Sequence, residues 1–97
     1  MIDRTPSHKF NRSNLRRLLR ARAYTNIGHI RRYFDIGGDD VSTVQGPSGS
    51  VFVALPEMAA RILGRLWQEG KIGVQLALYV RAALVDGVYS NEVPVRG

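Results

Sequence analysis

Glycine and proline residues divide this chain into short segments, and that division limits what it can fold into. Gly37 and Gly38 end one apolar segment, Gly46 to Gly49 interrupts the next, and Gly70 and Gly87 follow the last two. Both residue types are unfavourable inside helices and strands, because glycine costs backbone entropy and proline lacks an amide hydrogen. Each segment is therefore expected to form one helix or one hairpin, and the 97 residues predict a single small domain.

The stretch after residue 11 has the pattern of an amphipathic helix. Leucines recur at helical spacing on one face and arginines occupy the opposite face, with Leu15, Leu18 and Leu19 against Arg16, Arg17 and Arg20. Asn11 or Ser13 can cap its N-terminus, so a basic helix is predicted over residues 13–23. Apolar residues again recur at helical spacing after residue 26, with basic residues on the outer side, and Gly37 and Gly38 follow them. This pattern predicts a second basic helix over residues 26–35.

Residues 41–55 are typical of a β-hairpin. β-branched side chains fill both arms, and the sequence Gly46-Pro47-Ser48-Gly49 supplies the turn between them. Pro56 then suits the first position of a helix, since its missing amide hydrogen has no partner there. Gly70 marks the end of that helix, which is predicted over residues 56–69.

Residues 72–88 allow two secondary-structure predictions. Every second residue from Ile72 to Val80 is apolar, as in a strand, whereas the alanine-rich stretch up to Asp86 is typical of a helix. The alanines and the length favour a helix over residues 73–86. That helix would be apolar on two sides, so it would lie either in the centre of the fold or against another copy of the chain. Because a short chain has much surface for its volume, we expect a homo-oligomer whose interface contains Val74, Leu78 and Val85.

Taken together, these segments predict an α+β fold: a small, mostly helical domain with about four helices and one β-hairpin. Residues 1–10 are largely polar and predict a flexible basic arm. Residues 11–97 would then form the single domain.

Positive charge is concentrated in the first third of the chain. Residues 1–34 hold nine lysines and arginines and one acid, giving +8, whereas residues 35–97 hold five basic and seven acidic residues, giving −2; the sum is the net charge of +6. Such asymmetry is typical of a segment that faces a polyanion, because clustered arginines attract phosphates and release their counterions. The predicted function is therefore nucleic-acid binding, with DNA as the expected ligand, through Arg4, Lys9, Arg12, Arg16, Arg17, Arg20, Arg31 and Arg32.

Other interpretations of these basic helices remain open. A basic helix can pair with an acidic protein partner, lie on anionic lipid, or simply face solvent. The main alternative is a protein-interaction module that docks through its basic side or its apolar last helix. Two helices meeting at Tyr24 and Thr25 also allow a helix-turn-helix over residues 13–35, although Asn26 is the only amide side chain that the second helix offers for reading bases.

No residue pattern supports catalysis or a metal site. The chain has no cysteine, which excludes disulfides and thiol chemistry, and neither His8 nor His29 has a carboxylate at ligand spacing. Asp39 and Asp40 are adjacent, so in extended chain they point in opposite directions. We expect no enzymatic activity, no cofactor and no metal. The polar N-terminus and the interrupted apolar segment also predict no signal peptide and no membrane span, and therefore a cytoplasmic location.

Overall fold

The computed structural model describes residues 9–78 and 80–92 of the chain. These residues form three helices and five strands in two antiparallel sheets. The elements are α1 (Arg12–Ala21), β1 (Thr25–Asn26), α2 (Ile27–Tyr33), β2 (Ser42–Gly46), β3 (Gly49–Val53), α3 (Glu57–Gln68), β4 (Ile72–Leu76) and β5 (Val85–Ser90). The fold is α+β, but the prediction of a mostly helical domain with about four helices is wrong.

Local capping signals account for where α1 and α2 begin. The Asn11 side chain accepts a hydrogen bond from the backbone amide of Asn14 at 2.8 Å, and the Asn26 side chain accepts one from the amide of His29 at 2.7 Å. Each bond satisfies an amide that has no partner within its own helix. Both helices then bury their apolar side against β5, and their polar sides face outward.

The hairpin predicted over residues 41–55 corresponds to β2 and β3, which pair antiparallel from Ser42 opposite Val53 to Gly46 opposite Gly49. α3 packs against β2, and Gly46 permits this close contact. A Cβ at that position would lie 2.5 Å from the ring of Trp67, so any larger residue would displace the indole from the hairpin.

Residues 72–90 form two strands where the sequence analysis predicted a helix over residues 73–86. β4 pairs with β5, and β5 pairs on its other edge with β1, which gives the order β1-β5-β4. The alternation from Ile72 to Leu76 was therefore the correct signal, and the alanines lie in the β4–β5 connection. Two contributions favour strands: Gly73 disfavours a helix, and strand pairing with Thr25 and Asn26 satisfies the backbone of β5.

The core lies between the three-stranded sheet, the hairpin and the inner sides of the helices. Its fully buried apolar side chains come from nearly every element: Leu15, Leu19, Ile30, Val44, Val53, Leu55, Leu63, Leu66, Ile72 and Val88. Within the described part of the chain, no helix has the length and apolar character needed to cross a membrane.

Candidate nucleic-acid interface

Two arginines that were predicted to contact nucleic acid are paired with carboxylates of the same chain. Arg12 donates to Glu69 through Nη2 at 2.5 Å and Nη1 at 3.1 Å. Arg16 donates to Glu92 through Nη2 at 2.5 Å and Nε at 3.2 Å. Because residues four apart share one side of a helix, this pair of contacts attaches a single flank of α1 to the ends of α3 and β5.

These ion pairs shift the pKa values of their members. Hydrogen bonds from Arg16 hold the pKa of Glu92 below its usual value, and those from Arg12 hold the pKa of Glu69 below its usual value. The Glu92 carboxylate in turn raises the pKa of Arg16. Both carboxylates are therefore ionised in the folded state over a wider pH range than in the unfolded chain.

The stability of the fold is expected to decrease in acid partly through Glu92. The pKa of Glu92 is lower in the folded state than in the unfolded chain. Glu92 therefore makes its full contribution to the free energy of unfolding above its unfolded-state pKa of about 4.3, and this contribution is lost as the pH falls through its folded-state pKa. Urea denaturation of the wild type and of Glu92→Gln, from about pH 7 to about pH 3, measures this contribution. The difference between the two midpoints should shrink toward acid pH, and a difference that stays constant would contradict the prediction.

Arg31 also has its guanidinium engaged within the fold. It donates to the carbonyl oxygen of Ala54 at 2.7 Å and to that of Gly38. The side chain therefore joins α2 to the segment after β3 and to the loop that follows α2. Its charge remains, but Nη1 and Nη2 both donate to backbone carbonyl oxygens of the protein.

The other predicted cations in the described residues are exposed. Lys9, Arg17, Arg20 and Arg32 all face solvent, and no carboxylate among residues 9–78 and 80–92 forms an ion pair with them. Arg17 lies about 100° around α1 from Arg16, which directs it away from Glu92. The remaining predicted residue, Arg4, lies outside the described residues.

A row of rings lies along α2 and connects it to the start of α1. His29 and Tyr33 stack with centroids 6.3 Å apart and planes at 25°. Tyr33 packs edge-on against Phe34 at 4.9 Å, and Phe34 packs against Phe10 at 4.7 Å. Since Phe10 precedes α1 and Phe34 follows α2, the start of one helix adjoins the end of the other.

Arg22 makes the corresponding contact at the opposite end of the helix pair. Its Nη1 lies 3.5 Å from Nε2 of His29, so the residue after α1 adjoins the outer side of α2. The residues that flank α1 are therefore in contact with the two ends of α2, and the two helices run in opposite directions. Arg22 was not predicted as a site residue, because it departs from the helical spacing of the other arginines of this segment. We define the basic face as the exposed cations on and beside α1 and α2: Lys9, Arg17, Arg20, Arg22 and Arg32. Arg20 lies one turn beyond Arg16, and its charge also contributes to lowering the pKa of Glu92.

The residues predicted to form an oligomer interface lie in three different environments. Val85 is 3% exposed and belongs to the core, Val74 is partly buried against that core, and Leu78 is 89% exposed in the β4–β5 connection. The predicted interface assumed one helix that is apolar on two sides. In its place, β4 and β5 bury most of these side chains within the chain itself, and Leu78 alone of the three is fully available to a partner.

No protein-family model matches the chain, and neither a curated protein nor a solved structure matches it. Within residues 9–78 and 80–92, no group of three or more histidine, aspartate and glutamate side chains is placed to hold a metal ion. Function is therefore inferred from the charges and rings of the helix pair and from the exposed apolar side chains.

Proposed function

We propose that the chain binds nucleic acid without catalysing a reaction, and that the basic face contacts the phosphates. One observation carries this proposal: the cations of that face project from two neighbouring helices, and no carboxylate in the described part of the chain forms an ion pair with them. Cations that form no ion pair with the described carboxylates and lie on a fixed scaffold favour a polyanion, because each neutralised phosphate releases a condensed counterion. DNA is the expected ligand, and the proposal assumes a cytoplasmic location.

The ion pairs of α1 support the same proposal indirectly. Arg12 and Arg16 attach one flank of the helix to Glu69 and Glu92, so Arg17 and Arg20 project from a helix that is held in place. Less conformational freedom is lost when such charges bind a ligand than when they lie on a mobile segment. The anchoring arginines therefore have a role in positioning, and the exposed ones in contact.

The double variant Arg17→Ala/Arg20→Ala tests the proposal. Both side chains are exposed, so the fold should persist, whereas Arg16→Ala would also break the ion pair with Glu92. Fluorescence anisotropy with a labelled DNA duplex of random sequence, at several salt concentrations, measures the binding. We expect weaker binding for every sequence, and a slope of log affinity against log salt that is smaller in magnitude by about two.

The double variant Arg65→Ala/Arg81→Ala provides a matched control, because it removes the same charge from exposed positions on α3 and on the β4–β5 connection. Neither arginine forms an ion pair with a carboxylate of the described residues. This connection lies at the end of β4 and β5 opposite to Glu69 and Glu92, where α1 is attached. The control should retain the wild-type slope. An equal change in both variants would indicate an effect of net charge without a specific site. A wild type that binds neither this duplex nor a single strand at low salt would contradict the proposal.

A second candidate function is protein interaction, and a group of exposed apolar side chains favours it. Leu78 and Val80 lie in the β4–β5 connection, and Phe52 lies beside it because its amide donates to the carbonyl of Ala83 at 2.7 Å. Clustered exposed apolar residues are typical of protein contacts. A second copy of the chain is the expected partner here, and an acidic protein is the alternative at the basic face. Light scattering over a range of protein concentrations distinguishes a monomer from an oligomer.

A further inference from the structure

We infer that the ligand of the basic face is single-stranded nucleic acid, whose bases stack on His29 and Tyr33 while the neighbouring cations hold its phosphates. This inference rests on the proposed function and deepens it by naming the form of the nucleic acid. Bases in a duplex are stacked on one another, so only unpaired bases present a free face to a protein ring. A ring pair among cations is therefore a feature that a single strand can use and a duplex cannot.

The ring pair is held in position by its surroundings. His29 and Tyr33 are four residues apart and lie on the same side of α2, with part of each side chain exposed to solvent. Tyr33 is supported edge-on by Phe34, which is buried in the core. The backbone of His29 is held by the cap of α2. Rings that are already fixed lose little conformational freedom when a base stacks on them.

Cations lie at both ends of the row of rings that includes the ring pair. Arg22 contacts the imidazole of His29, and Lys9 is adjacent to Phe10 at the opposite end of the row of rings. Arg32 lies on the same helix, with its Nη1 3.6 Å from the position that a Cβ of Gly28 would occupy. A strand that follows α2 would thus have bases over the rings and phosphates near the cations, the combination used by proteins that bind single strands without sequence preference.

The same surface offers little to the base edges of a duplex. Asn26 is the one amide in residues 26–35, and its side-chain oxygen already caps α2, so it is not available to recognise adenine in the major groove. β1 also lies between α1 and α2 and is paired with β5. The connection is therefore part of a sheet, unlike the short turn of a helix-turn-helix.

Two double variants separate stacking from charge. His29→Leu/Tyr33→Leu removes both rings, whereas His29→Phe/Tyr33→Phe keeps two rings and removes the same imidazole and hydroxyl groups. Each is titrated into labelled oligothymidylate and into a duplex with the same number of phosphates, at one salt concentration. We expect the wild type to prefer the single strand. The leucine variant should lose about tenfold in affinity for the single strand and nothing for the duplex, and the phenylalanine variant should keep both affinities.

The possible results distinguish this inference from the proposed function. An unchanged single-strand affinity in the leucine variant, or a wild type that prefers the duplex, overturns the inference and leaves nucleic-acid binding in place. A wild type that binds neither ligand overturns the proposed function and the inference with it. Circular dichroism verifies the fold of each variant. If the double leucine variant does not fold, His29→Leu alone, at a partly exposed position, provides the same comparison with His29→Phe.

Discussion

The Leu63→Ala variant is expected to lose about 2–5 kcal/mol of its free energy of unfolding. Leu63 is 0% exposed and lies on the side of α3 that faces the core. Truncating it removes apolar burial and leaves a cavity that the surrounding side chains fill only in part. Because small domains unfold with only about 5–15 kcal/mol, this loss is a large part of the total. Urea denaturation followed by circular dichroism measures it.

Met58→Ala is the matched control for that prediction. Met58 lies on the same helix but is 75% exposed, so its truncation removes little contact and should change the free energy of unfolding by no more than about 0.5 kcal/mol. Comparable losses in the two variants would mean that α3 does not present Leu63 to the core as described.

The Val85→Asp variant is expected to be unfolded or destabilised by more than about 3 kcal/mol under native conditions, because it places an unpaired carboxylate in the core. Val85 is 3% exposed in β5. Leu78→Asp makes the same chemical change at a position that is 89% exposed in the same apolar segment, and it should alter the free energy of unfolding by no more than about 0.5 kcal/mol. Urea denaturation of both variants measures the contrast.

The contrast between Val85→Asp and Leu78→Asp also tests whether the last segment forms two strands or the predicted helix. The helix predicted over residues 73–86 would place Val85 and Leu78 in one oligomer interface, where aspartate should have similar effects at both positions. The strands place Val85 in the core and Leu78 in solvent. Similar effects of the two substitutions would therefore contradict the sheet. If the chain forms an oligomer through the exposed apolar group, Leu78→Asp should also lower the mass measured by light scattering to that of a monomer.

The geometry of the helix pair connects stability with the proposed function. Arg16 contributes to holding α1 against Glu92, whereas Arg17, the next residue along the chain, is exposed and forms no ion pair with a carboxylate of the described residues. Substitutions at these neighbouring positions should therefore change different quantities. Arg16 variants should change the free energy of unfolding, and Arg17 variants should change the salt dependence of binding. Neighbouring arginines in one basic helix thus have different surroundings, which the total charge of the helix does not reveal.

Local chemistry determined the parts of the fold that the sequence predicted well. The cap at Asn11, the leucine face of α1, the turn around Pro47 and the position of Pro56 before α3 act over a few residues, so they are visible in the sequence. The excess of positive charge near the N-terminus is equally a property of the sequence. These features predicted two basic helices, the hairpin and the third helix to within a few residues of their observed bounds.

The tertiary structure alone decided the form of the last segment and which arginines of α1 form ion pairs. Residues 72–90 become strands because β5 pairs with β1, formed by Thr25 and Asn26, and the pattern within the segment does not reveal so distant a partner. Likewise, Arg12 and Arg16 meet carboxylates that lie 57 and 76 residues away along the chain. Helical spacing shows which residues share one face of a helix, but whether a charge on that face is neutralised depends on which distant segment folds against it.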